Sequence, residues 1–207
     1  MSDPLAVGAE ATIHEATFMG RAVVVKQRVA KGYRHPDLDA RLRAERTRDE
    51  GGLLLKCRAA GVPVPVVYDV DRGGARLVLE RIGGSALRHV LDADTDDVAA
   101  GRMEALGAIV ARMHDAGITH GDLTTHNVLV AGERLVLIDF GLGQATREDE
   151  PRGVDLHLVE EALEATDGRA EALMAAFLRG YAEAECAEPV LARLEEIRRR
   201  GRYRDAV

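Results

Sequence analysis

The stretch that most constrains this chain is Ile118-Thr-His-Gly-Asp-Leu-Thr-Thr-His-Asn-Val-Leu-Val130, followed shortly by Ile138-Asp139-Phe140-Gly141. Met103, Leu106, Val110 and Met113 recur at helical spacing and predict a helix over 98–115 ahead of it. Residues 128–130 and 134–138 then read as two short strands around an Ala-Gly-Glu turn. The polar residues of the first stretch therefore lie on a loop at a helix–strand junction, and Asp139 lies at the end of the next strand, twelve residues past Asn127. Such a pattern brings a carboxylate, a carboxamide and a second carboxylate towards one small volume.

Hard oxygen ligands of this kind suit Mg²⁺, which keeps several waters and borrows substrate phosphates as ligands. Reach divides the roles. Asn127 and Asp139 would hold the metal, and Asp122 would accept or orient the proton of an attacking hydroxyl or water.

The rest of the chain is organised in two textures. Residues 4–8, 11–18 and 21–28 alternate like strands, the last two as a hairpin around Met19-Gly20. Helix formers run from Leu38 to Ala60 and stop at Gly61 and Pro63. The middle of that helix, Arg-Ala-Glu-Arg-Thr-Arg-Asp-Glu, has almost no apolar face, so it is exposed or turned towards a polar site. A second hairpin joins Val66–Asp71 to Ala75–Glu80 through Arg72-Gly73-Gly74. After Gly83 helices dominate: a short one over Ser85–Leu91, the long one, and more from Asp155 to the end, with breaks near Gly168 and Cys186–Pro189. The predicted class is α+β, with a small β-rich lobe with one helix over 1–82, a helical lobe over 83–207, and a cleft at a hinge near 81–84.

Composition removes several classes of function. Net charge is −7 over 207 residues, which disfavours wholesale coating of nucleic acid but leaves local basic patches open. Apolar runs are far short of the ~20 residues needed to cross a bilayer, and Met1–Glu10 has neither the basic nor the apolar region of a signal peptide. Two cysteines, Cys57 and Cys186, exclude a disulfide framework and a cysteine-based zinc module, so a reduced, cytoplasmic chain is expected. Of 28 basic residues only Lys26, Lys31 and Lys56 are lysines, and Asn127 is the sole asparagine, which suggests that these positions keep their residue for its chemistry.

His-x-Asp-(x)4-Asn, then Asp-Phe-Gly, with Val-Val-Val-Lys26 upstream, resembles the protein-kinase superfamily. The resemblance implies a minimal two-lobed kinase fold that uses ATP and Mg²⁺. Lys26 would pair the α- and β-phosphates, its partner a glutamate of the small-lobe helix; Glu45 and Glu50 both qualify by position, Glu50 better, because it adjoins the apolar turn that docks on the sheet. Val7, Gly8, Ala9 and Glu10 would form the phosphate loop. The backbone of Glu80 and Ile82 would hydrogen-bond adenine.

Several departures narrow the family. The phosphate loop has a single glycine, Gly8, and Glu10 puts a negative charge near the γ-phosphate, which predicts slower or more selective transfer. Gly121 replaces the usual arginine and Thr124 the usual lysine of the catalytic loop. Only 16 residues separate Asp139 from Asp155, read as the aspartate that starts the next helix, leaving no room for an activation segment. These features, with Gly-Ala-Glu-Ala, Lys31-x-Tyr-Arg-His-Pro-x-Leu-Asp39, Arg46-Thr-x-x-Glu50 and a closing Arg-Arg-Arg-Gly-Arg-Tyr-Arg, closely resemble the small atypical kinase/ATPase subunit of the KEOPS (EKC) complex, over Val7 to Arg204.

That resemblance implies a serine/threonine-type kinase and ATPase supporting threonylcarbamoyladenosine modification of tRNA. It also implies contact with the threonylcarbamoyl-transferase subunit through the large lobe and with a small KEOPS subunit through the small lobe. In many archaea the kinase is fused behind the transferase. Arginines gather at positions 34, 41, 43, 46 and 48 and again at 198, 199, 200, 202 and 204, and their forks suit phosphate or carboxylate: either they are solvated helix faces paired with Glu45, Glu195 and Glu196, or they contact the tRNA backbone or a partner, with tRNA contact expected at the tail and Tyr203 as an anchor. Three other readings compete: a small-molecule phosphotransferase of aminoglycoside-kinase type, for whose helical insert the chain has no room; a metal hydrolase built on His120, Asp122 and His126; and a nucleotide-binding scaffold without turnover.

Overall fold

The structure, a computed structural model, describes residues 6, 7 and 10–204, with side chains over 10–200. Gly8, Ala9 and the side chains of Val7, Arg202, Tyr203 and Arg204, all singled out above, lie outside the described residues. The chain divides into two compact units, one running up to Lys56 and over 65–83, the other formed by 57–64 and everything from Gly84 onward.

The first unit is an antiparallel sheet with a helix. Its strands are β1 (Ala6–Val7), β2 (Ala11–Phe18), β3 (Arg21–Arg28), β4 (Val67–Asp71) and β5 (Arg76–Glu80), in the order β1-β2-β3-β5-β4. Met19 and Gly20 turn the β2–β3 hairpin with φ of 48° and 75°, the left-handed pair that matches strand twist. Phe18 then faces Arg21, and the register carries Ile13 opposite Lys26. Helix α1 (Pro36–Ala59) contains Gly51 and Gly52, each costing a helix about 1 kcal/mol against alanine. Gly51 has a packing reason: a Cβ there would meet Val70 at 3.0 Å and Leu77 at 3.3 Å, so glycine lets the helix lie close on β4 and β5. Gly52 meets nothing within 4 Å.

The second unit is mainly helical: α2 (Leu87–Leu91), α3 (Asp96–Asp115), α4 (Asp149–Glu164), α5 (Ala170–Tyr181) and α6 (Ala187–Arg204). Met103, Leu106, Val110 and Met113 of α3 are all buried, as the spacing predicts. Gly107 and Gly180 let α3 and α5 touch backbone to backbone; a Cβ on either would come within 2.0 Å of a carbonyl oxygen of the other helix. Short strands β6 (Ser85–Ala86), β8 (Val128–Ala131) and β9 (Arg134–Leu137) form one small sheet, and β7 (Ile118–Thr119) pairs with β10 (Gln144–Ala145).

Four local readings change. Ser85 and Ala86 pair with β8 as a strand, because Gly84 (φ 157°) brings the backbone against Val130, and helix starts only at Leu87. The long helix begins at Asp96, where two carboxylates favour a helix N-terminus. Helix α4 begins at Asp149, so Asp155 lies inside it rather than at its start. Pro189 lies in the first turn of α6, where its missing N–H costs nothing, so the chain break is confined to 182–186. The pairing of β7 with β10 had no sequence signal, since both are two-residue strands without alternation.

Candidate active site

In the first unit, strand alternation puts Lys26 and Arg28 on one face of β3. Glu50 of α1 receives both: Lys26 Nζ donates to Oε1 at 2.6 Å and Arg28 Nη2 to Oε2 at 2.6 Å. All three side chains are buried, with Glu50 just 1% exposed. A buried carboxylate is tolerated only with such partners, and the close approach that Gly51 allows is what delivers it. Glu45 instead faces Arg41 at 3.6 Å, one helical turn away, so Glu50 is the partner of Lys26. Arg28 was missed in the sequence, although its i+2 spacing from Lys26 on a strand was the available signal.

Glu10 accepts a hydrogen bond from Arg46 at 2.5 Å and lies 3.6 Å from Arg28. The Arg46 bond holds its carboxyl below the usual range. Its charge is therefore engaged by Arg46 of α1. Glu80 donates its N–H to the Val66 carbonyl at 2.8 Å, and its carboxylate accepts the Val66 N–H at 3.1 Å. The side chain thus replaces a carbonyl in pinning the entry to β4. Ile82 is half-buried just beyond the strand.

In the second unit, Ile138 N–H donates to the Asn127 carbonyl at 2.9 Å, extending the β8–β9 ladder by one rung. That rung carries Asn127 and Asp139 to the same end of the hairpin. Asn127 Nδ2 donates to the Asp122 carboxylate at 3.0 Å and to its carbonyl at 2.8 Å. With Nδ2 committed, the carboxamide oxygen is the atom Asn127 can offer a cation. Asp139, exposed and at φ 62°, accepts the Gly141 N–H at 3.2 Å. A left-handed aspartate is uncommon and gathers at functional sites. Asp122 and Asn127 are therefore in contact, with Asp139 one residue beyond the rung that ends on Asn127, and carboxylate and carboxamide oxygens of this kind fit Mg²⁺.

A buried network holds the loop. Asp155 accepts the His120 N–H at 2.6 Å and the Gly121 N–H at 2.8 Å, and His114 Nε2 lies 3.2 Å from it. His114 Nδ1 meets the Tyr181 hydroxyl at 2.8 Å. Burial raises the Tyr181 phenol above its ordinary value, so it stays a proton donor. His120 donates Nε2–H to the Ile138 carbonyl at 2.9 Å and receives the Asp122 N–H at Nδ1, 3.3 Å away. Burial depresses its pKa, which keeps it neutral and suits one nitrogen donating and one accepting. Both ring nitrogens are thus used, and among the described residues no group of three His, Cys, Asp or Glu side chains could hold a metal. That removes the support for a hydrolase metal centre on His120, Asp122 and His126. Gly121 has φ 77°, and a Cβ there would fall 2.2 Å from the Leu142 carbonyl oxygen; the position the usual arginine would fill has no space for a side chain.

A family model described as "RIO domain" matches residues 13–158. The chain belongs to the RIO-domain family. Among curated proteins, this RIO-domain chain is 42% identical over 198 residues to a "Probable bifunctional tRNA threonylcarbamoyladenosine biosynthesis protein" of Methanosarcina mazei, covering 95% of the chain and 35% of that protein. It thus spans about a third of the length of such archaeal relatives. The mouse "EKC/KEOPS complex subunit Tp53rkb" is 41% identical over 215 residues, covering 97% of the chain and 86% of that protein. Among solved structures, the Rio2 kinase–ADP/Mg²⁺–phosphoaspartate complex from Chaetomium thermophilum superposes with a TM-score of 0.68 at 17% identity, over 94% of the chain and 70% of Rio2. At that identity the likeness speaks for the fold, and it agrees with the kinase-like α+β architecture. Among the described residues no helix is long and apolar enough to cross a membrane.

Proposed function

We propose that this chain is an ATP-dependent phosphotransferase and ATPase of serine/threonine type, acting in the cytoplasm as the kinase subunit of a KEOPS assembly that modifies tRNA with threonylcarbamoyladenosine. What supports the reading is that Lys26 hydrogen-bonds Glu50 in one unit and Asn127 hydrogen-bonds Asp122 in the other, pairings that suit phosphoryl transfer. The threonylcarbamoyl-transferase subunit would meet the second unit and a small KEOPS subunit the first, with tRNA reached through basic surface.

In this reading Lys26, positioned by Glu50, grips the α- and β-phosphates, and Val7, Gly8, Ala9 and Glu10 would supply the phosphate loop. The backbone of Glu80 and Ile82 recognises adenine. Asn127 and Asp139 would hold Mg²⁺, which when bound screens the phosphate charge. Asp122 takes the proton of the attacking hydroxyl or water through its carboxylate, and Asn127 Nδ2 orients that carboxylate.

Thermal melts with nucleotide test this. ADP with Mg²⁺ is expected to raise the melting temperature, and Asp139→Ala to abolish the Mg²⁺-dependent part of that rise. Lys26→Ala should cost ATP turnover by about 10²-fold or more yet still fold, because Arg28 continues to neutralise Glu50. Normal turnover by that variant would overturn the assignment.

A further inference from the structure

The first unit has a notch, separate from Lys26, lined by Arg28, Lys31, Arg34, Arg43 and Arg46, with Glu10 as the carboxylate at its edge. The five cations outnumber the three carboxylates that meet them, Glu10, Asp39 and Glu50, so the notch is net positive and favours an anion. The side chains are held in place from behind. Asp39, 3% exposed, accepts Arg43 Nε at 2.7 Å and the Lys31 N–H at 3.3 Å and lies 3.6 Å from Arg34. Glu10, between Arg46 at 2.5 Å and Arg28 at 3.6 Å, marks where an anionic oxygen sits. Arg28 is 5% exposed, and its Nε is buried without a hydrogen-bond partner. Arg28 thus lines the notch with part of its hydrogen-bonding capacity unused by the protein.

A second feature adjoins it. Tyr33 is 78% exposed, and the Arg34 guanidinium lies 5.3 Å from its ring centroid. An exposed aromatic ring backed by arginine and flanked by a phosphate-binding notch is the combination that proteins use for single-stranded nucleic acid: the ring takes a base face and the forks take the backbone. A phosphorylated peptide would need the notch but has no use for the ring.

We propose that this notch and Tyr33 together bind an unpaired stretch of RNA, one phosphate among Arg28, Arg34, Arg43 and Arg46 and the neighbouring base on Tyr33. That the nucleic acid is RNA rests on the tRNA-modification reading. The test uses the whole chain, a fluorescein-labelled unmodified tRNA transcript and a twelve-nucleotide single-stranded RNA, read by anisotropy at two salt concentrations. Tyr33→Ala should weaken both by about tenfold, and Arg34→Ala should weaken both and lower the salt slope by about one ion. Both variants should keep the wild-type melting shift with ADP and Mg²⁺. Unchanged RNA affinity in Tyr33→Ala overturns the proposal. So does an equal loss towards heparin, which would show a nonspecific polyanion surface, or tighter binding of a phosphoserine peptide that ignores Tyr33. A loss of the ADP shift in the wild type would sink the nucleotide reading instead and leave the RNA result to stand or fall separately.

Discussion

Helices α1 and α6 are both rich in arginine and glutamate, yet they use them differently. In α1 two acids turn inward while the other charges stay outside: Glu50 is buried under Lys26 and Arg28, and Asp39 is buried under Arg43 and Arg34. In α6 Arg193, Arg198 and Arg200 lie along the surface and are matched by acids of the same helix or of α4. Arg198 spans Glu160 and Glu195, while Arg193 and Arg200 share Glu150. Similar residues thus make a charged core in one helix and a solvated seam in the other. Burial, which a list of residue types does not reveal, decides which.

The comparison is broken most severely at Glu50. Glu50→Ala leaves an ammonium and a guanidinium buried without a counter-charge and should cost about 3–5 kcal/mol, with loss of ATP turnover. Denaturant unfolding measures it; a cost below about 1 kcal/mol would mean the triad is not buried in solution. The adjacent glycines give a finer test, because they have similar backbones and opposite surroundings. Gly51→Ala presses on Val70 and Leu77 and should cost about 1–3 kcal/mol, whereas Gly52→Ala, open on all sides, should gain about 0.5–1 kcal/mol from helix propensity. Two melting curves of equal sign would refute the close docking of α1. The smallest effects belong to α6. Glu160→Ala frees the partly buried Arg198 and should cost about 1 kcal/mol, and Arg200→Ala less than about 0.5 kcal/mol, both shrinking in high salt.

Much of this was legible in sequence because the relevant patterns are local. The β2–β3 and β4–β5 hairpins announce themselves by alternation and by glycine at the turn, and α3 by the spacing of Met103, Leu106, Val110 and Met113. The loop from His120 to Asn127 was readable because function demands fixed residue types at fixed spacing. What escaped depends on partners distant in the chain. Glu10 looks like a bare charge until Arg46, 36 residues on, closes on it. Asp155 reads as a helix start until its two backbone donors, 34 and 35 residues earlier, are seen. His114 and Tyr181 carry no motif, and their hydrogen bond exists only because Gly107 and Gly180 let two helices meet. Ser85 and Ala86 became a strand for the same reason: Val130 and Leu129 were waiting opposite.

Gly121 carries a consequence for control. In the kinase pattern that this loop resembles, an arginine stands at this position, just before Asp122. Here the Leu142 carbonyl already fills that cation's place, and the backbone has a handedness that side chains resist. No single substitution could install that cation without rebuilding the turn. Any cation meant to sense an anion at this turn would therefore have to be supplied by a residue outside the loop.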